Sequence, residues 1–180
     1  MKVLSTTLSV LLTAFLISCS APHPGTGVQG KRPGDFGVEY QWREASVPPP
    51  YHYEYSVTIK PTGQSQIAFI PDYPSAAPPR WVESFVIEEE RLDDLYWVMM
   101  EKGLFTRKWR QMDPLPVGGS FQWLGVKAGG KRLLVEDYLV SEQEAAAKAM
   151  YAAVRALVPK DVWESLQVRR QQYIQEHRRK

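Results

Sequence analysis

The chain has 180 residues and a net charge of +2 at pH 7, with 44% hydrophobic and 23% charged residues. These proportions are ordinary for a globular domain and exclude an intrinsically disordered chain. The small basic excess does not favour nucleic-acid binding, and a single cysteine excludes an intramolecular disulfide framework. We therefore expect one domain that folds around its own hydrophobic core without disulfides or a metal.

The N-terminus has the pattern of a secretory signal. Lys2 supplies an early positive charge, and an uncharged, mostly apolar run follows over residues 3–17. A helix over this run would be about 22 Å long, which is short of the roughly 30 Å core of a bilayer. Pro22 and Pro24 prevent the helix from continuing. We therefore predict a signal peptide in residues 1–18 rather than a membrane-spanning helix.

The end of this signal, Leu16 to Cys19, reads LISC and resembles the lipobox of bacterial lipoproteins. The resemblance implies cleavage between Ser18 and Cys19 and a diacylglyceryl group on the Cys19 thiol. Two or more acyl chains anchor a protein stably, whereas one chain gives only marginal membrane binding. We therefore predict that the protein is held to a membrane by covalent lipid on Cys19. An ordinary secretory signal with an incidental cysteine is the alternative.

The residues after Cys19 predict the location and the spacing of the folded part. Ser20 stands where the lipoprotein family carries Asp as its inner-membrane retention signal. The resemblance therefore implies the outer membrane, facing the periplasm or the cell surface, in a cell with two membranes. In a cell with one membrane it implies the outer face of the cell membrane. Residues 19–35 are rich in proline and glycine and predict a flexible tether before a single domain over 36–180.

Alternating apolar and polar residues predict four antiparallel strands in the first half of the domain. The period then changes to that of an amphipathic helix from about Glu89 to Lys102, with Gly103 as its C-terminal cap. Two further strands flank a Gly-Gly hairpin turn at 128–131. The six strands are predicted near 36–43 and over 51–60, 66–70, 80–87, 121–126 and 133–138.

The C-terminal part predicts two more helices. Residues 141–144 read SEQE, which is the pattern of a capping box. Pro159 suits the first position of the last helix, whose final basic turns are expected to fray. We therefore predict an α+β fold, with an antiparallel sheet of about six strands, a meander plus a C-terminal hairpin, and about three helices packed on one face.

The body also carries a pattern that resembles a group of uncharacterised bacterial secreted proteins. The pattern includes YEYSVTIKPTG near the start of the domain and LVP, then W, near its end. The resemblance covers about Tyr51 to Tyr173, and its motifs are structural. It implies no activity that could be assigned to this chain.

Known catalytic motifs are missing from the sequence. There is no phosphate-binding glycine loop, no Gly-x-Ser-x-Gly elbow and no HExxH pair. We therefore expect no catalytic residue, metal or cofactor. His52 and Glu54 share one face of a predicted strand and could form a base with its orienting carboxylate. The favoured interpretation is that both lie on the exposed polar face of an edge or outer strand.

A tentative binding surface is predicted around Trp109, with Arg107 and Arg110 beside it. Trp109 lies outside any regular pattern, so it is the tryptophan expected to be most exposed. The alternative is a loop residue packed against the sheet.

Together these features predict a lipid-anchored cell-envelope protein with a non-catalytic binding or structural role. The expected partner is an envelope protein or a glycan, and not nucleic acid. The competing hypothesis is a hydrolase of cell-wall sugar or peptide, with carboxylates such as Glu54 and Asp72 in an aromatic-lined cleft.

Overall fold

A computed structural model describes residues 30–178 of the chain. In this part of the chain a six-stranded sheet carries three α-helices, which confirms the predicted α+β class. A short 3-10 turn at Pro74–Ala76 joins two of the strands. The elements are β1 Gly37–Arg43, β2 Glu54–Ile59, β3 Gln64–Ile70, β4 Trp81–Val86, α1 Glu89–Glu101, β5 Phe121–Ala128, β6 Lys131–Glu136, α2 Ser141–Arg155 and α3 Lys160–His177.

The strand order is β4-β3-β2-β1-β5-β6, and every neighbouring pair is antiparallel. The first four strands form a meander. The chain then leaves β4 through α1 and returns on the far side of β1, where β5 pairs with it. Tyr40 of β1 therefore lies between Val57 of β2 and Leu124 of β5. Strand β1 joins the meander to the β5–β6 hairpin.

The helices pack against one face of the sheet, as predicted. This face is lined by alternate residues of each strand, because successive side chains in a strand point to opposite sides. Tyr40, Val57, Ile67 and Leu124 are almost completely buried there. Aromatic pairs join the core to each helix in turn: Phe36–Tyr96 at 5.3 Å, Tyr40–Tyr151 at 5.7 Å and Tyr55–Trp163 at 5.0 Å between ring centroids.

The opposite face of the sheet is more polar and keeps exposed apolar side chains at Val82, Val86 and Leu134. Trp123 lies on this face, where its Nε1 donates a hydrogen bond to Gln41 Oε1 at 2.7 Å. Trp123 is half-buried on this outer face.

The β2–β3 turn depends on Gly63. Its φ of 81° lies in the left-handed region, and its carbonyl accepts a hydrogen bond from the Ile87 N–H at 2.9 Å. A Cβ on Gly63 would lie 2.2 Å from the Ile87 carbonyl oxygen. The turn and the segment after β4 therefore lie so close together that no residue with a Cβ fits at position 63 without a shift of the backbone.

The predicted capping box at the start of α2 is wrong. Val140 occupies the N-cap, and no side chain caps this helix. The Gln143 side chain bonds to a distant loop instead, accepting from the Arg110 N–H at 2.9 Å and donating to the Lys108 carbonyl at 2.9 Å. Gln143 thus joins the start of α2 to the loop after α1.

The last helix differs from prediction at its start. Pro159 is the N-cap of α3 rather than its first residue. The helix continues to His177 with Tyr173 and Ile174 buried, and the last two basic residues lie outside the described residues. Beyond the helix, the Arg178 Nε lies 3.3 Å from the Tyr51 hydroxyl. Tertiary contacts therefore hold the final turns in place.

Asp35 fixes the start of the domain to the β5–β6 turn. Its two carboxylate oxygens accept hydrogen bonds from the Gly129 N–H at 2.7 Å and the Gly130 N–H at 2.8 Å. These two bonds lower the pKa of Asp35 below its ordinary value of 3.8, with the Gly130 bond as the larger cause.

Asp35→Asn should unfold at a lower temperature than the wild type at neutral pH, because the amide offers one acceptor oxygen instead of two. Since the folded-state pKa is lowered, the stabilisation is fully present above 3.8 and is lost as the pH falls through the folded value. The difference in Tm should therefore narrow in strong acid, which thermal unfolding followed by circular dichroism would measure. Asp94→Asn removes one exposed charge elsewhere and serves as the control. A difference in Tm that does not change with pH would contradict the stabilising role of the Asp35 carboxylate.

Candidate functional site

An open cavity of about 600 Å³ lies at the end of the sheet where β1 ends and β2 and β5 begin. We call it the His52 cavity. Its walls come from loops at 43–46, 73–75 and 116–119 and from the side chains of His52, Glu54, Phe121 and Tyr138. The antiparallel register places Arg43 directly opposite both Glu54 and Phe121, so the sheet itself fixes this wall.

His52 is 1% exposed and forms the inner wall of the cavity. Its ring stacks on Tyr73 with 3.8 Å between centroids and 9° between planes. Its Nε2 lies 3.1 Å from Glu54 Oε1, and its Nδ1 lies 3.4 Å from the Ala45 carbonyl oxygen. The predicted exposed position is therefore wrong. Strand β2 begins only at Glu54, so His52 precedes the alternating pattern and turns inward against Tyr73.

Both ring nitrogens of His52 face hydrogen-bond acceptors. A carboxylate oxygen and a carbonyl oxygen both accept hydrogen bonds, so each ring nitrogen of His52 is directed at an acceptor of the protein. Neither nitrogen is free of a protein partner. A general base needs such a free nitrogen within hydrogen-bond reach of its substrate. The arrangement instead holds the ring and the Glu54 carboxylate in fixed positions.

Tyr138 forms the outer wall in an unusual backbone conformation. Its φ is 57°, a left-handed value that costs a non-glycine residue roughly 1–2 kcal/mol. Its hydroxyl lies 2.7 Å from the Ser120 carbonyl and 3.1 Å from the Gly118 carbonyl. A Cβ on Gly119 would come within 3.1 Å of the same hydroxyl. Tyr138 thus holds the 118–120 loop against the mouth of the cavity.

Two charged side chains of the cavity have unused hydrogen-bonding capacity. Arg43 lies with its guanidinium 5.6 Å from the centroid of the Phe121 ring. Within residues 30–178, Arg43 forms no ion pair. Glu44 Oε1 accepts a hydrogen bond from the Ala45 N–H at 2.9 Å. The guanidinium donors of Arg43 and the second oxygen of Glu44 can therefore serve a bound molecule.

Asp72 lines a different cavity of about 530 Å³, between proline-rich loops and the end of α3. It is 4% exposed. One of its oxygens accepts from the Tyr73 N–H at 2.7 Å, and the other lies 3.4 Å from the Tyr173 hydroxyl. The structure therefore places Glu54 and Asp72, the two carboxylates of the hydrolase hypothesis, in separate cavities.

The three residues of the tentative surface take different positions. Trp109 is half-buried and packs against the core, and its Nε1 donates to the Leu104 carbonyl at 3.2 Å. Arg107 and Arg110 are exposed, and Arg110 lies 3.5 Å from Glu142. The indole therefore has the position of a loop residue packed against the core.

The remaining predicted site residues, Ser18 and Cys19, lie outside the described residues. Between residues 30 and 178, no cluster of three or more His, Cys, Asp or Glu side chains could hold a metal ion. None of the helices in the same range is long and apolar enough to span a membrane.

The sequence missed Tyr138, Arg43 and Phe121 as members of one site. These residues come together because β1, β5 and the segment after β6 meet at one end of the sheet. The register places Arg43 opposite Phe121, and the rings of Phe121 and Tyr138 lie 6.2 Å apart. In the sequence, only the pair His52 and Glu54, two residues apart on one predicted strand face, points to this region.

Comparison with known protein families finds no match for this chain, and comparison with curated proteins finds no relative. The two resemblances stated from the sequence, to the lipobox and to a group of secreted proteins, therefore stay predictions. The geometry of the His52 cavity has to be interpreted by itself.

Proposed function

We propose that this chain is a lipid-anchored cell-envelope protein that binds a ligand in the His52 cavity and does not transform it. One observation carries the binding part of the proposal: both ring nitrogens of His52 are held by protein acceptors. His52, the most reactive side chain of the cavity, thus has a structural role in the cavity wall. The anchoring part rests on the lipobox pattern at Cys19.

The size and the polar groups of the cavity also favour binding. Ligand sites usually measure about 300–1,000 Å³ and carry a few well-placed polar groups. The cavity has about 600 Å³ and offers Arg43 and Glu44 at its edge. Its walls are held by the stack of His52 on Tyr73 and by the hydroxyl of Tyr138. A wall that is fixed before binding lowers the ordering cost of binding.

Hydrolysis by carboxylates is the second candidate, because Glu44 and Glu54 both line the cavity. Release of soluble fragments from purified cell wall by the wild type, but not by Glu44→Gln, would favour the hydrolase and overturn the binding proposal. We expect no release of fragments by either protein, because the Glu54 carboxylate is already hydrogen-bonded to His52.

Cys19→Ala should move the protein from the membrane fraction to the soluble fraction of the cell envelope. The variant lacks the thiol that accepts lipid, and so it loses the acyl chains that supply about 0.8 kcal/mol per buried CH₂. Fractionation in high salt, together with metabolic labelling by a fatty acid, measures both effects. Ser20→Ala is the control and should stay labelled and membrane-bound. A Cys19→Ala protein that remains in the membrane fraction in high salt would refute the anchor.

Crosslinking in the native envelope tests the binding role. The lipidated wild type should capture a discrete envelope component, and Arg43→Gln should lose it. Arg80→Gln is the matched control, because Arg80 is also an exposed arginine but lies outside the cavity. Equal capture by all three proteins would remove the His52 cavity from the proposed function.

A further inference from the structure

We infer that the His52 cavity binds a neutral, hydroxyl-rich saccharide. This inference rests on the proposed binding function and specifies its ligand. Its basis is a pair of oppositely charged side chains, the aromatic walls and the small number of aliphatic side chains in the lining.

The two charged groups of the cavity that are free to contact a ligand have opposite charges. Glu54 is held by His52, with 3.1 Å between Oε1 and Nε2. The groups with unused hydrogen-bonding capacity are one guanidinium, that of Arg43, and one carboxylate, that of Glu44. A ligand with a net charge would leave one of these two groups poorly paired, which costs free energy. A neutral ligand with both donors and acceptors satisfies both groups.

Hydroxyl groups provide this combination, because each hydroxyl donates one hydrogen bond and accepts others. Vicinal hydroxyls can accept from two guanidinium N–H groups of Arg43 and donate to the free oxygen of Glu44. Ser46 and Ser75 add two further hydroxyls to the lining. The polar groups of the cavity therefore match a polyhydroxylated ligand.

Aromatic rings form two walls of the cavity. The Phe121 and Tyr138 rings lie 6.2 Å apart on one side, and the Tyr73 ring is stacked on His52 on another. Aromatic side chains present large, rigid surfaces at a low entropic cost. The C–H faces of a sugar ring can pack on such surfaces while its hydroxyls reach the polar groups.

A peptide ligand fits this lining less well. Among the described residues that line the cavity, no valine, leucine, isoleucine or methionine occurs, and Ala45 is the only aliphatic side chain besides proline. Peptide-binding sites commonly provide apolar pockets for alternate side chains. The lining therefore favours a ring with hydroxyls over an amino-acid side chain.

Isothermal titration of the purified domain tests the inference with three probes of similar length. They are a neutral β-1,4-linked N-acetylglucosamine oligomer, its deacetylated cationic form and a zwitterionic peptide. The neutral oligomer should bind. Arg43→Gln should weaken this binding at least about tenfold, since a hydrogen bond to a charged group contributes about 1.5–3 kcal/mol. Phe121→Leu should also weaken it, because the flat aromatic surface is lost. Arg80→Gln should bind like the wild type. Circular dichroism and Tm confirm that every variant is folded.

Three outcomes would overturn the saccharide inference. They are unchanged binding in both cavity variants, preference for the cationic oligomer or the peptide, and no binding of any probe. Preference for another probe that is still lost in Arg43→Gln leaves the proposed function standing with a different ligand class. The crosslinking comparison of Arg43→Gln with Arg80→Gln decides the proposed function separately, so the two failures can be distinguished.

Discussion

Gly63→Ala is expected to lower the free energy of unfolding by roughly 3 kcal/mol or more. A left-handed φ costs a non-glycine residue about 1–2 kcal/mol. The contact adds to this cost, because the new Cβ would lie 2.2 Å from the Ile87 carbonyl oxygen, which belongs to the backbone. The β2–β3 turn or the segment after β4 must then move, and the hydrogen bond from the Ile87 N–H to the Gly63 carbonyl is strained or lost.

Gly129→Ala is the matched control for this prediction. Gly129 also has a positive φ, 58°, but no other atom lies within 4 Å of the position that its Cβ would take. It should cost only the backbone term of about 1–2 kcal/mol. Urea unfolding of both variants separates the cost of the close contact at Ile87 from the cost of the left-handed backbone conformation. Equal destabilisation of the two variants would show that the close approach at Ile87 contributes nothing.

His52→Leu is expected to destabilise the domain by about 1–3 kcal/mol, the usual cost of leaving a buried acceptor without its hydrogen-bond partner. The change leaves the Glu54 carboxylate, 12% exposed, without its partner. It also removes the stack on Tyr73, which has 3.8 Å between centroids. For a domain of this size the Tm should fall by roughly 2–12 °C.

A second substitution separates the lost pair from the lost packing. His52→Leu with Glu54→Leu removes both hydrogen-bonding partners, and so it should recover part of the stability lost in the single variant. Arg169→Leu breaks the more exposed pair with Glu83, at 2.8 Å, and should cost at most about 1 kcal/mol. A double variant that is less stable than His52→Leu would show that the Glu54 carboxylate does not need His52 as a hydrogen-bond partner.

The sheet was predictable because its residues alternate so regularly. From Glu54 to Ile59 every second residue is buried, and the Gly-Gly turn at 129–130 marks the β5–β6 hairpin. The position of β5 beside β1 was not predictable in the same way. Strand pairing over about ninety residues leaves no local signal, and it alone brings Arg43 opposite Phe121.

The errors at the candidate site have local physical causes. The alternation extends back to Tyr51 and so predicts a polar strand position for His52, whereas the strand begins at Glu54. Extended backbone before a strand does not have to keep the strand's orientation. The sequence pattern extends the last strand to Tyr138, yet the φ of 57° at Tyr138 ends the extended conformation there. These differences between prediction and structure arise from tertiary contacts, which the strand propensity of a residue does not describe.

The position of β1 between β2 and β5 has a consequence for the growing chain. During synthesis the four-stranded meander is complete before β5 has emerged, so one side of β1 has unpaired N–H and C=O groups until then. An unpaired strand edge is a template for wrong pairing with another chain. The long sequence separation between β1 and β5 also slows the closing step, because the ends of a long loop must meet first. The nascent domain is therefore most vulnerable to aggregation between the emergence of β4 and that of β5, and this interval is where a holding chaperone would act.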